Sequence, residues 1–253
     1  MIVIFTGLPG SGKSYKLGKT CIDILYRNKK EFEKRENYYW TTKLLVEKYP
    51  VRRELWTNLK MSPAVEQEFR GYIKYYTELK SLTPLRDCDV VIDEVGTYFD
   101  ARLWETLSLE MRRWLAQHRK LGIEIYGAAQ DFAQVDISFR RLTTELYYVR
   151  KLAGSNRPSK TIPSSSRIWG ICTIKEMDPV GYDENTKAFN NKGMISWPFL
   201  IRQEYCEVFD TGKRVQMSDP PPFKHIMRRC ADPDCKFELY GFKSGHKHKI
   251  LHV

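Results

Sequence analysis

A chain of 253 residues, 42% hydrophobic and 13% aromatic, carries enough apolar surface for one sizeable α/β core, which excludes a disordered or fibrous polypeptide. The formal charge of +11 and the pI of about 9.3 favour a polyanionic partner, either nucleic acid or an acidic membrane surface. No apolar run approaches the roughly 18 residues of a membrane-spanning helix, and the amino terminus lacks a secretory pattern. Four of the six cysteines (Cys21, Cys88, Cys172, Cys206) stand singly, which suits a soluble protein of a reducing cytosol better than a disulfide framework.

In chain order, Ile2 to Thr6 reads as a short buried strand, followed by a glycine loop and a helix from Lys13 to Arg27. The charged, aromatic stretch 28–50 reads as a helical insertion, with Tyr38, Tyr39 and Trp40 packing it onto the domain rather than stacking on bases. Glu54 to Leu59 has strand composition, and Ser62 to Leu79 helical spacing. Val90 to Ile92 is a third strand, Ala101 to Leu121 a long amphipathic helix stopped by Gly122, Ile123 to Ala129 a fourth strand and Leu146 to Lys151 a fifth. The Ser-, Pro- and Gly-rich span 153–166 reads as a flexible loop, and Ile168 to Ile174 with Ile195 to Phe209 as an edge extension. This alternation predicts an α/β fold with a mostly parallel central sheet covered by helices. Residues 1–217 form the main domain, and beyond the proline triplet at 220–222 a small basic Cys/His module occupies 218–253.

Gly7-Leu8-Pro9-Gly10-Ser11-Gly12-Lys13-Ser14 matches the phosphate-binding loop pattern and stands between a strand and a helix, where the mechanism needs it. Glycines let successive N–H groups point at phosphates, and the helix that follows aims its positive end at the same place. The stretch through Tyr15 therefore reads as an ATP site, with Lys13 on the β and γ phosphates and Ser14 on magnesium. The metal needs a second carboxylate at the end of another buried strand. Asp93 supplies it, and Glu94 beside it is placed as general base. Hydrolysing P-loop machines insert a further strand between these two strands and tip it with a polar γ-phosphate sensor. Ile123 to Ala129 followed by Gln130 fits that role. A cation at the γ-phosphate, often lent by a neighbouring subunit, is assigned to Arg140 or Arg141, with Arg112, Arg113 and Arg119 behind them.

The segments GLPGSGKSY, LWTNL, VVIDEVGTYFDAR, RRWLAQHRKLGIEIYGAAQDFAQVDISFRRL and EVFDTGKRV together resemble the zonular occludens toxin-like domain, the assembly ATPase family of filamentous phages, near the FtsK/HerA-type motors. The resemblance implies a homo-oligomeric, magnesium-dependent ATPase that moves phage DNA, usually single-stranded, during virion assembly in contact with capsid or other assembly proteins. By position it makes Lys13 and Ser14 nucleotide and metal ligands, Asp93 and Glu94 the hydrolytic pair, Gln130 the sensor and Arg140 a trans-acting finger. Filamentous-phage members carry a membrane-spanning helix after the ATPase domain. None is found here, so the expectation is a packaging motor in the host cytoplasm, or one that borrows a membrane anchor or associates with the virion. Two other readings remain open on sequence: a helicase-like or remodelling ATPase in replication, and a nucleotide-operated interaction protein. Glu94 speaks against the last, since a switch has no need of an efficient base.

Cys230 and Cys235 are followed after twelve residues by His248 and after three more by His252. That spacing suits tetrahedral zinc, although Gly245 stands where a finger would place a large apolar residue. The alternatives are a zinc-stapled module that holds DNA or a capsid protein, and a basic tail with incidental Cys and His.

Overall fold

In the computed structural model the described residues are 1–41, 49–101, 107–154, 168–179, 182–183, 188–189, 196–202, 208–214, 228–229 and 238–239. All five residues of β1 (Ile2–Thr6) are buried, as expected of a strand covered on both faces. Around it lie β2 (Leu55–Thr57), β3 (Leu59–Met61), β4 (Ile73–Tyr75), β5 (Asp89–Ile92), β6 (Glu124–Ala129), β7 (Glu145–Gly154), β8 (Ile168–Met177), the short pair β9 (Tyr182–Asp183) and β10 (Ala188–Phe189), then β11 (Ser196–Arg202) and β12 (Phe209–Arg214). Eight of these form one sheet in the order β11-β8-β7-β1-β6-β5-β2-β4. From β7 to β4 the pairing is parallel, while β8 and β11 run antiparallel at the edge. The central sheet, the edge extension and the insertion of β6 between β1 and β5 thus agree with the sequence reading.

Alternating strand residues feed the two faces. Ile2, Ile4, Val90, Ile92 and Ile125 meet α3 (Val95–Tyr98), α4 (Leu109–Gln117) and α5 (Ile137–Leu142) through Val95, Met111, Trp114, Leu115 and Phe139. Val3, Phe5, Val91 and Ala128 meet α1 (Lys13–Thr41) through Leu17, Cys21, Ile24, Leu25 and Phe32. The fifth helix, α2, is a single short piece over Pro63–Glu68.

Three segments differ from the sequence reading. Helix α1 does not end near Arg27. Its buried stripe continues through Asn28, Phe32, Glu36 and Tyr39, so most of the supposed insertion is the same helix, with charged residues between the buried ones masking the period. Tyr39 packs edge-on to Tyr49 with ring centroids 5.2 Å apart, and Phe32 packs on Tyr49 at 6.2 Å, while Tyr38 is exposed. Second, the helix expected over 62–79 stops at Glu68. Gly71 then turns the chain with φ 86°, and Ile73–Tyr75 joins the sheet as an edge strand. Third, of the long helix expected over 101–121, the described residues form a helix across Leu109–Gln117, where Ser108 accepts a capping bond from the Met111 N–H at 3.2 Å. Residues 102–106 lie outside the described residues, as does most of the span expected as a loop at 153–166, since β7 continues to Gly154. No helix among the described residues is long and apolar enough to cross a membrane.

At the amino-terminal edge of the sheet Asp89 is fully buried and its carboxylate is fully engaged. Arg53 donates Nε to Oδ2 at 2.9 Å and Nη2 to Oδ1 at 2.8 Å. The Asn28 amide donates to Oδ2 at 2.7 Å and Arg27 to Oδ1 at 3.2 Å. Arg53 also donates to the carbonyls of Cys88 and Gly122, at 3.0 and 2.9 Å. A buried carboxylate that loses its bidentate partner is left with an uncompensated charge. Arg53→Met is accordingly expected to destabilise the fold by about 3 kcal/mol, read by urea unfolding; a loss under about 1 kcal/mol would mean the pair behaves as a solvated surface bridge.

His118, also at this edge, is buried. Its Nδ1 lies 2.7 Å from the Leu115 carbonyl and its Nε2 has no partner among the described residues. Burial, the largest cause, pushes its pKa below the usual 6.5, against the opposing bond to Leu115. The unfolded chain therefore binds a proton that the folded chain resists, so this contribution is present above pH 6.5 and lost as pH falls through the depressed value. His118→Gln is expected to flatten the fall in Tm between pH 7 and 5, and parallel slopes in the two proteins would refute that assignment.

Candidate functional site

The register of the parallel strands fixes the site. The last paired residues are Thr6 with Ala129, Ile92 with Gly127, and Thr57 with Val91. Gly7, Gln130, Asp93 and Asn58 are therefore the residues that emerge together at the carboxyl edge of neighbouring strands, where open parallel sheets bind ligands.

The loop after β1 turns through three glycines with positive φ: Gly7 at 148°, Gly10 at 74° and Gly12 at 101°. Gly7 is required twice over, because a Cβ there would meet the Val149 carbonyl oxygen of β7 at 2.3 Å. The Ser11 N–H donates to the Leu8 carbonyl at 3.1 Å, closing the turn, and Leu8, Pro9 and Gly10 are exposed at its rim. Lys13 folds back over the loop, donating Nζ to the carbonyls of Gly7 at 2.7 Å and Leu8 at 2.9 Å. Burial lowers its pKa, and the carboxylates of Asp93 and Glu94 oppose that shift, so the acidic pair acts electrostatically on the loop lysine. Ser14 is exposed at the start of α1. Ser11 Oγ is buried and has no partner among the described residues.

Glu94 caps α3 in the left-handed region, at φ 55° and ψ 58°. For a residue with a Cβ this conformation costs on the order of 1–3 kcal/mol, and such strain clusters at functional positions. The helix that follows is held close because Gly127 of β6 has no side chain: a Cβ there would come within 2.3 Å of Val95 Cγ2. Asp93 and Glu94 are half-buried, and Gln130 is exposed at the tip of β6.

Not every sequence candidate joins this group. Arg140 and Arg141 occupy the last turn of α5, and two residues past that helix the Thr144 N–H bonds the Ile2 carbonyl at the base of β1. The arginine pair thus lies on a helix that runs away from the edge where Gln130 stands. Arg119 is further removed, since its Nη2 donates to Thr144 Oγ1 at 3.1 Å at that same base. Tyr15 turns its side chain away from the loop, donating its hydroxyl to the Leu200 carbonyl at 2.8 Å and accepting from the Arg202 N–H at 3.0 Å. Any part it takes in nucleotide binding falls to its backbone. Cys230, Cys235, His248 and His252 lie outside the described residues. Among the described residues no cluster of three or more His, Cys, Asp or Glu is assembled for a metal.

Two contributors escaped the sequence. Asn58, at the break between β2 and β3, accepts from the Asp93 N–H at 2.9 Å and donates to the Asp93 carbonyl at 3.1 Å. An Asn inside a strand-like segment was the available signal, because strands disfavour it. Cys172 of β8 is buried beneath the loop, its thiol pushed up to about 11 by burial. It donates to the Ser11 carbonyl at 3.4 Å. Gly7→Ala is expected to lower stability by more than about 1 kcal/mol and to weaken any rise in Tm on adding nucleotide relative to the parent chain. An undiminished rise would show that the loop tolerates the side chain.

Comparison with known proteins agrees with this architecture. No curated protein matches the sequence. Among solved structures, the N-terminal domain of zonular occludens toxin from Neisseria meningitidis superposes with a TM-score of 0.50 at 18% identity, covering 83% of this chain and 98% of that one. The genome packaging NTPase B204 from Sulfolobus turreted icosahedral virus 2, in complex with AMP, gives a TM-score of 0.42 at 13% identity, covering 77% and 95%. The family model for zonular occludens toxin (Zot) matches residues 1–161, well over half of the sequence, together with the loop, the acidic pair and β6 between them. The chain belongs to the zonular occludens toxin (Zot) family, on a P-loop NTPase fold.

Proposed function

We propose that this protein is a magnesium-dependent ATPase that works as a homo-oligomeric ring in the host cytoplasm and couples hydrolysis to movement of phage DNA during virion assembly. The observation that carries the reading is the convergence of Lys13, Asp93, Glu94 and Gln130 at one sheet edge, produced by the strand order β1-β6-β5. The loop suits a triphosphate: its glycines permit backbone N–H groups to face phosphates, Lys13 already lies across it, and the buried Ser11 hydroxyl has no partner among the described residues. Ser14 and Asp93 would be the oxygen ligands for magnesium, a hard cation usually held through one or two protein groups and phosphates. When bound, magnesium neutralises charge on the β and γ phosphates.

Lys13 exchanges its two carbonyl partners for phosphate oxygens, which accept more strongly because they are charged. Glu94 takes the proton of the attacking water as the new O–P bond forms and the bond to the bridging β,γ oxygen breaks, leaving ADP and phosphate. Gln130 is the side chain placed to orient that water or to register the γ-phosphate. Arg140 and Arg141, in the last turn of α5, serve the site of a neighbouring copy. The net charge of +11 supports DNA as the partner being moved, and Zot-family membership supports a phage-assembly setting, with capsid or other assembly proteins receiving the DNA.

Glu94→Gln is expected to lower kcat by about a hundredfold or more while the Kd for ATP stays close to that of the parent, measured by steady-state hydrolysis and calorimetry. Hydrolysis by the parent should rise on adding single-stranded DNA. Failure of both single- and double-stranded DNA to raise it would sink the motor reading, and an unchanged kcat in Glu94→Gln would remove Glu94 from its role.

A further inference from the structure

The parallel ladder between β2 and β5 ends at the pair Thr57 and Val91. Past that point the first of these strands leaves the sheet: the Leu59 N–H is taken by Thr57 Oγ1 at 3.1 Å, and β3 pairs instead with β12. The backbone of Asp93 is left without a neighbouring strand to bond on that side. The side-chain amide of Asn58 fills the gap. It accepts from the Asp93 N–H at 2.9 Å and donates Nδ2 to the Asp93 carbonyl at 3.1 Å, with the Tyr98 hydroxyl of α3 at 3.2 Å from the same nitrogen. Because a backbone N–H can only donate, the orientation of the amide is dictated: oxygen toward the N–H, nitrogen toward the carbonyl.

The carbonyl that Asn58 binds belongs to the peptide linking Asp93 to Glu94. Its plane sets the φ rotation from which the Glu94 side chain departs. Glu94 sits in the left-handed region, a conformation a Glu adopts only when its surroundings hold it. On the far side it is held by the Thr97 N–H donating to the Glu94 carbonyl at 2.8 Å and by fully buried Val95. On the near side Asn58 is the holder.

We infer that Asn58 is a positioning residue for the water-activating carboxylate: its amide stands in for the missing rung of sheet, locks the Asp93–Glu94 peptide, and so aims Glu94 at the attacking water without touching nucleotide. The inference rests on the ATPase reading above. Its consequence is a split between steps. Nucleotide binding, which belongs to the loop and Lys13, is spared by loss of Asn58, whereas the hydrolytic step, which depends on the direction of Glu94, is not.

The test is a double-mutant cycle on the full chain. Asn58→Ala is expected to lower kcat by about ten- to a hundredfold, the range in which misplacement of a reacting group falls, with the Kd for a non-hydrolysable ATP analogue within about twofold of the parent. In the Glu94→Gln background, where no carboxylate remains to be aimed, the same substitution should change single-turnover rate by less than about twofold. Asn58→Asp, which keeps the acceptor and loses the donor, carries the same comparison in case the alanine variant does not fold. A kcat equal to the parent's, a rise in Kd that matches the fall in kcat, or an undiminished effect in the Glu94→Gln background would each overturn the assignment. A parent chain that hydrolyses no nucleotide would instead overturn the ATPase reading beneath it, so the two failures are told apart.

Discussion

The buried carboxylate of Asp89 is the constraint on which the level of the whole sheet depends. A charge with no exposure to solvent is tolerable only when its lone pairs are filled by donors in good geometry. Here those donors come from separate parts of the chain: Arg27 and Asn28 on α1 and Arg53 just before β2. Arg27 reaches Glu124 at the start of β6 as well, at 3.3 Å. Burial opposes ionisation of Glu124, but a hydrogen bond from Tyr126 and the charges of Arg27 and Arg53 prevail and keep its pKa low. One cluster thus pins the starts of β2, β5 and β6 and the middle of the long helix to the same height.

Parallel strands pinned at their starts all run to the same edge, where β1 and β6 extend two residues past the level of Ile92. That is why Thr57, Ile92, Ala129 and Thr6 finish at one edge, and why a loop lysine, an acidic pair and a glutamine far apart in sequence meet there. The antiparallel wing completes the arrangement from the other side. Val149 of β7 closes the space beside Gly7, Cys172 of β8 would meet a Cβ on Gly12 at 3.1 Å, and β11 engages the hydroxyl of Tyr15. The phosphate loop is therefore buttressed by strands that contribute no chemistry of their own, through contacts that depend on glycine at two loop positions.

Features whose physics is local could be read from the sequence. The loop from Gly7 to Ser14 announces itself because glycines, lysine and serine must stand at fixed spacing. Asp93 and Glu94 are visible because an apolar strand ends in two acids. The placement of β6 followed from order along the chain alone. What was missed depends on tertiary partners. The continuation of α1 past Arg27 is hidden by charged residues between its buried positions, and strand β4 exists because β2 offers it an edge. Asn58 looks like a strand defect until Asp93 is seen against it. Arg119 stood among plausible cations by composition, yet its bond to Thr144 at the base of β1 places it at the opposite edge of the sheet. Asp89 did not stand out in the sequence, since nothing local distinguishes a carboxylate that will be buried from one that will be solvated.

The two segments that leave the sheet at the acidic pair and at Gln130 are not independent. Asp100 and Val135 form an antiparallel bridge, the Ala101 N–H donates to the Gln134 carbonyl at 3.0 Å, and the Asp136 N–H donates to the Phe99 carbonyl at 2.8 Å. Just behind them the rings of Phe99 and Phe139 lie 4.7 Å apart in the core. Asp136 in turn caps α5, accepting from the Ser138 N–H at 2.6 Å. A shift at Glu94 must therefore carry the segment after Gln130 with it, or break several hydrogen bonds and a buried aromatic contact at once. Packed interiors resist such partial deformation, so the helix bearing Arg140 is tied mechanically to the residues at the carboxyl edge even though its arginines do not stand among them.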